Sequence, residues 1–251
     1  EMFLRRLRSL MDEILQPPGT RKQNLFYEDR LDERYEAMRV SAELDLEKWN
    51  WGFGSKQTLK QAINILSRKY LMERRIHLFR THSVNNNKTR KNALIPDSQN
   101  RNVVLMLEVD DNMIGSEKNE KEYIKINNLN SFAVDVSNFQ LDGLISYKFK
   151  PGTVIPSKDT IYLTKNYNSF RSREKSPRGG EGLFIQGDYE GRLSYSRGGV
   201  ITMADDKGKK LTDFKCSPKL SSQQKYLRIT ELHYNPQMSI GNNGLIELED
   251  E

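Results

Sequence analysis

Residues 122–166, EYIKINNLNSFAVDVSNFQLDGLISYKFKPGTVIPSKDTIYLTKN, decide how the rest of the chain is read. Ile124 and Ile126 alternate with Tyr123 and Lys125, Val134 and Val136 flank Asp135, and Phe139 and Leu141 repeat the step. Tyr147 and Phe149 bracket Lys148, and Ile161-Tyr162-Leu163 closes the series. Asn-Asn, Asp-Gly and Pro-Gly stand between these runs. A period of two punctuated by turn residues predicts half-buried strands of a β domain.

The wording of this stretch also carries a resemblance. An aromatic-Ile-x-Ile-x-Asn strand, then Val-Asp-Val-Ser-x-Phe-x-Leu, then Pro-Gly-Thr-x-Ile-Pro resembles the lamin-tail domain over Val103–Phe214. The resemblance implies an immunoglobulin-like β-sandwich that binds through loops or edge strands. Outward from the core stretch, Val103–Val109 reads as a first strand and 110–121 as a polar loop. Leu183–Gln186, Val200–Ala204 and Leu211–Phe214 supply further strands, and Asp205-Asp206-Lys207-Gly208 suits a hairpin turn. About eight short strands at this spacing suit a sandwich. The longest connection, Asn166–Gly182, holds Arg171, Arg173, Lys175 and Arg178 around Gly179-Gly180. With no strand-loop-helix context it reads as a surface loop rather than a phosphate cradle.

Tyr226–Pro236 resembles the opening strand of the same domain, and residues 245–248 fall near the equivalent of 123–126. Residues 217–251 therefore read as a linker and the first strands of a second, truncated copy.

The first third is helical. Phe3, Leu7, Leu10 and Ile14 recur at helical spacing, widened by Leu4, Met11 and Leu15, until Pro17-Pro18-Gly19 stops the run. A second helix is predicted from near Asn24, burying Phe26, Leu31, Tyr35 and Met38, with a short separate turn after Ser41. Trp49–Gly54 reads as an aromatic corner. A third helix, capped by Ser55 and reaching about Arg80, carries two apolar stripes: Leu59, Ile63, Leu66 and Tyr70, and Ile65, Met72, Ile76 and Phe79. Two stripes predict a helix sandwiched between neighbours.

A second resemblance sits here. Residues 3–12 (FLRRLRSLMD), the Lys48–Gly54 corner, Tyr70-Leu71-x-x-Arg74-Arg75 and Ile95-Pro96-Asp97 resemble the C-terminal helical portion of spore-coat CotH-type proteins. That family implies an atypical protein kinase using ATP and a divalent metal to phosphorylate coat proteins. Its nucleotide and metal residues precede the helices matched here, and residues 1–84 hold neither a glycine-rich phosphate loop nor a catalytic Asp-x-x-x-x-Asn pattern. No catalytic, cofactor-binding or metal residue is assigned.

The net charge of +6 is unevenly spread. Residues 28–47 hold eight acidic against three basic residues, and residues 60–91 hold nine basic against Glu73 alone. An acidic helix beside a basic one accounts for this better than a nucleic-acid surface. Arg74-Arg75 can clamp phosphate, but serving helix carbonyls or the acidic helix is the commoner use. Residues 82–101 read as polar loop, with His82 solvated. With His77, His82 and His233 the only histidines, a histidine-based metal or triad site is not expected. The sole cysteine, Cys216, excludes a disulfide scaffold. No apolar run reaches membrane-spanning length.

The expectation is an α+β multidomain fragment: about three helices, then an all-β immunoglobulin-like sandwich. Residues 1–84 form the C-terminal part of a CotH-type domain, 85–101 a linker, 102–216 the lamin-tail module and 217–251 the truncated second copy. Functionally the chain reads as a non-catalytic segment of a large secreted or cell-surface bacterial protein, presenting the sandwich to a protein or envelope surface. It needs no cofactor of its own. The alternative is a supporting part of a CotH-type kinase, with ATP and metal held upstream.

Overall fold

The N-terminal apolar stripe folds as a helix, α1 (Met2–Leu10), that widens into a π-helical turn over Met11–Leu15 and stops at Gln16, whose φ is 58°. The computed structural model describes residues 1–49, 57–86, 93–100, 102–109, 119–193, 198–217, 226–232 and 246–250. The order is α+β, helices first and strands after. By internal packing the chain divides into two compact units. The first comprises Glu1–Val103, Asn128–Ser137 and Lys150–Asp159; the second comprises Val104–Asn127, Asn138–Phe149 and Thr160–Glu251.

In the first unit, Met11, Leu15, Leu71 and Ile95 form the core, with Leu4, Leu7, Leu31, Leu78 and Phe79 packed around it. Phe3, expected on the buried stripe, is 76% exposed, because the inward line runs Leu4, Leu7, Met11, Leu15. A 3-10 turn over Lys22–Asn24 precedes α2 (Phe26–Trp49), whose first N–H is met by the Gln16 side chain at 3.1 Å. The expected break after Ser41 is absent. No Gly or Pro interrupts 41–49, and a single Ser costs a helix only about half a kcal/mol. Phe26 and Met38 are exposed, so the face of α2 that turns inward is narrower than expected and centres on Glu28 and Leu31.

The third helix is capped by Thr58 rather than Ser55, which lies outside the described residues. Thr58 and Gln61 form a reciprocal capping box. The run is α3 (Leu59–Ile65), a π turn over Leu66–Leu71, α4 (Met72–Ile76) and a second π turn over His77–Thr81. Neither expected stripe holds: Leu66, Tyr70, Ile65, Met72 and Ile76 are exposed. Apart from Leu78 and Thr81 near the end of the run, the residues shielded from solvent are Leu59, Ile63, Ser67, Leu71, Arg75 and Phe79, each four positions apart. In a pure α-helix a four-residue step drifts about 40° around the axis, so this line would spiral away. The wider π turns cancel the drift and keep it facing one neighbour.

The strands are β1 (Leu105–Val109), β2 (Tyr123–Asn128), β3 (Val134–Asp135), β4 (Gln140–Gly143), β5 (Ile145–Lys148), β6 (Val154–Ile155) and β7 (Thr160–Thr164). After the short helix α5 (Tyr167–Arg171) come β8 (Phe184–Gly187), β9 (Glu190–Gly191), β10 (Gly199–Ala204), β11 (Lys210–Cys216), β12 (Leu227–Leu232) and β13 (Ile246–Asp250). The β3–β6 pair belongs to the first unit and is tied to α1. Arg6 donates to Asp135 and Ser137 at 3.2 and 3.1 Å, and Glu1 accepts the Ala133 N–H at 2.7 Å. Buried Asn128 donates to the carbonyls of Phe132, Ile155 and Pro156 and ties the start of β3 to the end of β6.

The second unit holds a four-stranded sheet ordered β1-β2-β7-β8 and a five-stranded sheet ordered β11-β10-β4-β5-β9. β7 and β8 run parallel. Ile124, Ile126, Ile161 and Leu163 of one sheet and Leu141, Ile145, Ile201 and Met203 of the other are buried to 1% or less. Gly143 is required where β4 meets β10: its φ is 112°, and a Cβ there would lie 2.0 Å from the Val200 carbonyl oxygen. The Asp205–Gly208 turn forms as expected, with the Asp205 carboxylate accepting the Lys207 and Lys209 N–H groups. Cys216 ends β11 with 2% of its surface exposed. β12 and β13 pair antiparallel with each other. Among the described residues no helix is long and apolar enough to cross a membrane.

Candidate functional site

Two places in the fold combine converging polar groups with a fixed geometry. The first, in the helical unit, is a cavity of about 430 Å³ lined by Pro17, Leu25, Leu31, Ile63, Met72 and Ile76. Its floor is an ion pair between the two helices of opposite charge. Arg75 donates from Nη1 and Nη2 to the two Glu28 oxygens at 2.6 and 2.7 Å, and from Nε to the Leu15 carbonyl at 2.7 Å. Both side chains are buried, at 5% and 9% exposed. The guanidinium therefore serves a helix-end carbonyl and the acidic helix, as the sequence suggested for the Arg74-Arg75 pair, while Arg74 stays exposed. Lys22, Arg68 and Arg80 line the rim, and Lys22 pairs with Asp32 at 2.9 Å. On the floor both Glu28 oxygens are taken by Arg75, while the Lys22–Asp32 pair on the rim is exposed, at 77% and 58%.

The second place is the Asn166–Gly182 connection of the β unit. Asn166 caps α5 by accepting the Ser169 N–H at 2.9 Å. Beyond α5, Arg173 turns inward and is 8% exposed. Its guanidinium lies 4.7 Å from the Tyr123 ring centroid and 5.7 Å from that of Phe170. It donates to the carbonyls of Pro177 and Lys121 at 2.8 and 2.9 Å. Glu181 accepts from Ser176 and from the Arg178 backbone. Arg171, Lys175 and Arg178 remain on the outside. The four basic residues crowd together in the sequence; the structure separates Arg173, an internal anchor, from the other three.

A third group was missed by sequence reasoning. Glu122, just before β2, is 1% exposed and accepts from the Tyr189 hydroxyl at 2.8 Å and the Leu193 N–H at 3.4 Å. Its Oε2 has no hydrogen-bond partner among the described residues. Burial raises the carboxyl pKa above its ordinary value, against the opposing pull of Tyr189, Leu193, Lys165 and Arg192. Tyr189 is pushed up strongly by burial and then by Glu122. A carboxyl and a phenol in contact can exchange a proton, but a general acid must reach its substrate. Glu122 at 1% and Tyr189 at 3% exposure are both shielded from solvent. A glutamate beside alternating residues at a strand start carries no sequence mark of burial.

The histidines also differ from expectation. His82, read as a solvated loop residue, has its Nε2 3.1 Å from that of His77. Among the described residues no group of three or more His, Cys, Asp or Glu side chains converges for a metal. His233, residues 50–54 of the aromatic corner and residues 110–118 of the polar loop lie outside the described residues. No protein-family model matches this chain, and no curated protein matches it in sequence.

Proposed function

We propose that the chain is a non-catalytic interaction segment of a larger secreted or cell-surface bacterial protein. Its β unit reads as a lamin-tail, immunoglobulin-like module that presents the Asn166–Gly182 connection to an envelope surface. The observation that carries this reading is the anchoring of Arg173. A 17-residue connection is either functional or loose in most domains. Here a buried guanidinium with two carbonyl acceptors and two aromatic faces holds it in one shape. A loop ordered before binding loses little entropy on binding. Its outer residues Arg171, Lys175 and Arg178 outnumber the exposed Glu174 and Glu181, with Arg178 paired to Glu181 at 3.4 Å, and leave a slightly basic exterior that suits anionic envelope polymers.

The test is co-sedimentation of the full chain with purified bacterial cell-wall sacculi bearing their anionic polymers. The wild-type chain should pellet with them at low salt, and the triple variant R171E/K175E/R178E should stay in solution. Equal pelleting of both, or of neither, would remove the loop from the function.

One observation favours the second reading, a supporting part of a CotH-type kinase. Arg5 donates to the Asp97 carbonyl at 2.7 Å and Arg8 to that of Pro96 at 3.0 Å. Residues 3–12 and 95–97, two of the stretches on which that resemblance rests, thus meet. The helices would then brace a site formed by residues upstream. A kinase assay of the natural full-length protein with ATP and Mg²⁺ or Mn²⁺ distinguishes the two, since phosphate transfer that fails in the R75M variant supports bracing.

A further inference from the structure

We propose that His77 and His82 form a two-histidine site for a divalent first-row transition metal of the copper, nickel or zinc type. The two Nε2 atoms stand 3.1 Å apart, with ring centroids separated by 4.4 Å and ring planes at 79°. Imidazole nitrogens bind zinc at roughly 2.0–2.1 Å. Two of them sharing one ion at 3.1 Å would subtend an angle of roughly 100° at it. That value lies between the cis angle of a square or octahedral ion and the tetrahedral angle, so the separation suits a shared ion once rotation of the rings turns both lone pairs toward it.

The juxtaposition has a local cause. Residues five apart on an α-helix point about 140° away from each other. His77 and His82 instead flank a π turn, closed by the His82 N–H donating to the His77 carbonyl at 3.0 Å. That i→i+5 bond brings the two rings together edge to face on one side of the helix end. Without a metal, the contact is a hydrogen bond in which one ring donates and the other accepts. An ion at this position draws on a lone pair from each ring and replaces the shared proton.

The surroundings fit an open, exchangeable site. His77 is exposed, and it lines a surface concavity of about 450 Å³ with Tyr70, Glu73, Arg74 and Thr81. Glu73, one helical turn before His77, is the only acidic residue among residues 60–91. Two imidazoles with water in the remaining positions select copper, nickel or zinc over calcium or magnesium, which take oxygen donors. Arg74 on the same concavity opposes a cation, so the affinity belongs in the micromolar range and follows the order copper above nickel and zinc.

The experiment uses the untagged full chain, titrated calorimetrically with CuCl₂ and with ZnCl₂, and electron paramagnetic resonance of the copper form. One equivalent of Cu²⁺ should bind, with hyperfine structure from two equatorial nitrogens. H77N and H82N should each weaken it at least tenfold with unchanged circular dichroism, while H233N should leave it intact. No binding of either metal, binding that survives the double variant H77N/H82N, or binding lost only with His233 would each overturn the proposal.

Discussion

Arg75 shows how a residue that looks like a hook can be a brace. Its fork meets Glu28 on both oxygens and its Nε meets Leu15, all away from solvent. Removing one partner leaves the other charged and buried, which typically costs about 3–5 kcal/mol, whereas replacing both with apolar residues is often neutral. R75M and E28Q should each lower the unfolding free energy read from the urea transition of the helical circular-dichroism signal by that amount, and E28L/R75M should recover most of the loss. Equal losses in the single and double variants would mean that packing rather than charge is at stake. Glu122 tests the opposite sign of electrostatics. Its folded pKa is raised above the ordinary 4.5 by burial, so the folded state holds that proton more tightly than the unfolded chain does. The resulting stability is fully present below about pH 4.5 and is lost as pH rises through the folded value. E122Q keeps the uncharged form at every pH. Its stability relative to wild type should therefore climb between pH 4 and pH 7, as read from denaturation midpoints along a pH series. A flat difference would mean that Glu122 ionises at no cost.

Elements were legible wherever local chemistry alone shaped them. The runs in 122–166, the Asp205–Gly208 turn and the stop at Pro17-Pro18 follow from alternation, a positive-φ glycine and a missing N–H, and each forms within a residue or two of its reading. The third helix was legible in extent and not in face. Its inward line depends on two π turns, which the pattern of apolar residues does not announce, and that pattern puts Tyr70 and Met72 inside where the structure exposes them. The Asn166–Gly182 connection hid both α5 and the anchoring role of Arg173, because the signal lies in what Arg173 touches: Tyr123, fifty positions earlier, and the Lys121 carbonyl. R173A should free that connection while sparing the sheets. Hydrogen bonds from a charged donor contribute about 1.5–3 kcal/mol each. Amide exchange across 167–182 should accelerate at least tenfold in R173A with little change in β2 and β7. Uniform acceleration through both strands would show that the anchor supports the whole sheet.

At the scale of the whole molecule, the order of helices before strands was plain from periodicity, while the membership of each unit was not. Val134–Asp135 and Val154–Ile155 lie in the middle of the β-rich sequence, yet they belong with the helical unit, where this stretch is bonded by Arg6 of α1, the preceding Glu1 and the more distant Gln99. The Arg6–Asp135 bond joins positions 129 residues apart, a separation that no window on the sequence spans. Of the groups singled out above, Glu122, Arg173 and the His77–His82 contact all arise from tertiary placement or from an unusual helical turn. Such features escape motif reading because their chemistry is set by neighbours. Cys216 offers one more use of the fold. As the chain's sole thiol, buried at the end of β11, it is a built-in stopwatch for the opening of that edge. An opening that costs about 3 kcal/mol leaves roughly one molecule in a hundred reactive at any moment. Native protein should then be modified by an aromatic disulfide reagent about a hundredfold more slowly than urea-unfolded chain, with one signal and no dye attached. Rapid modification of native protein would show that β11 breathes freely. The same clock, run on every variant above, would report which of them loosens the sheet.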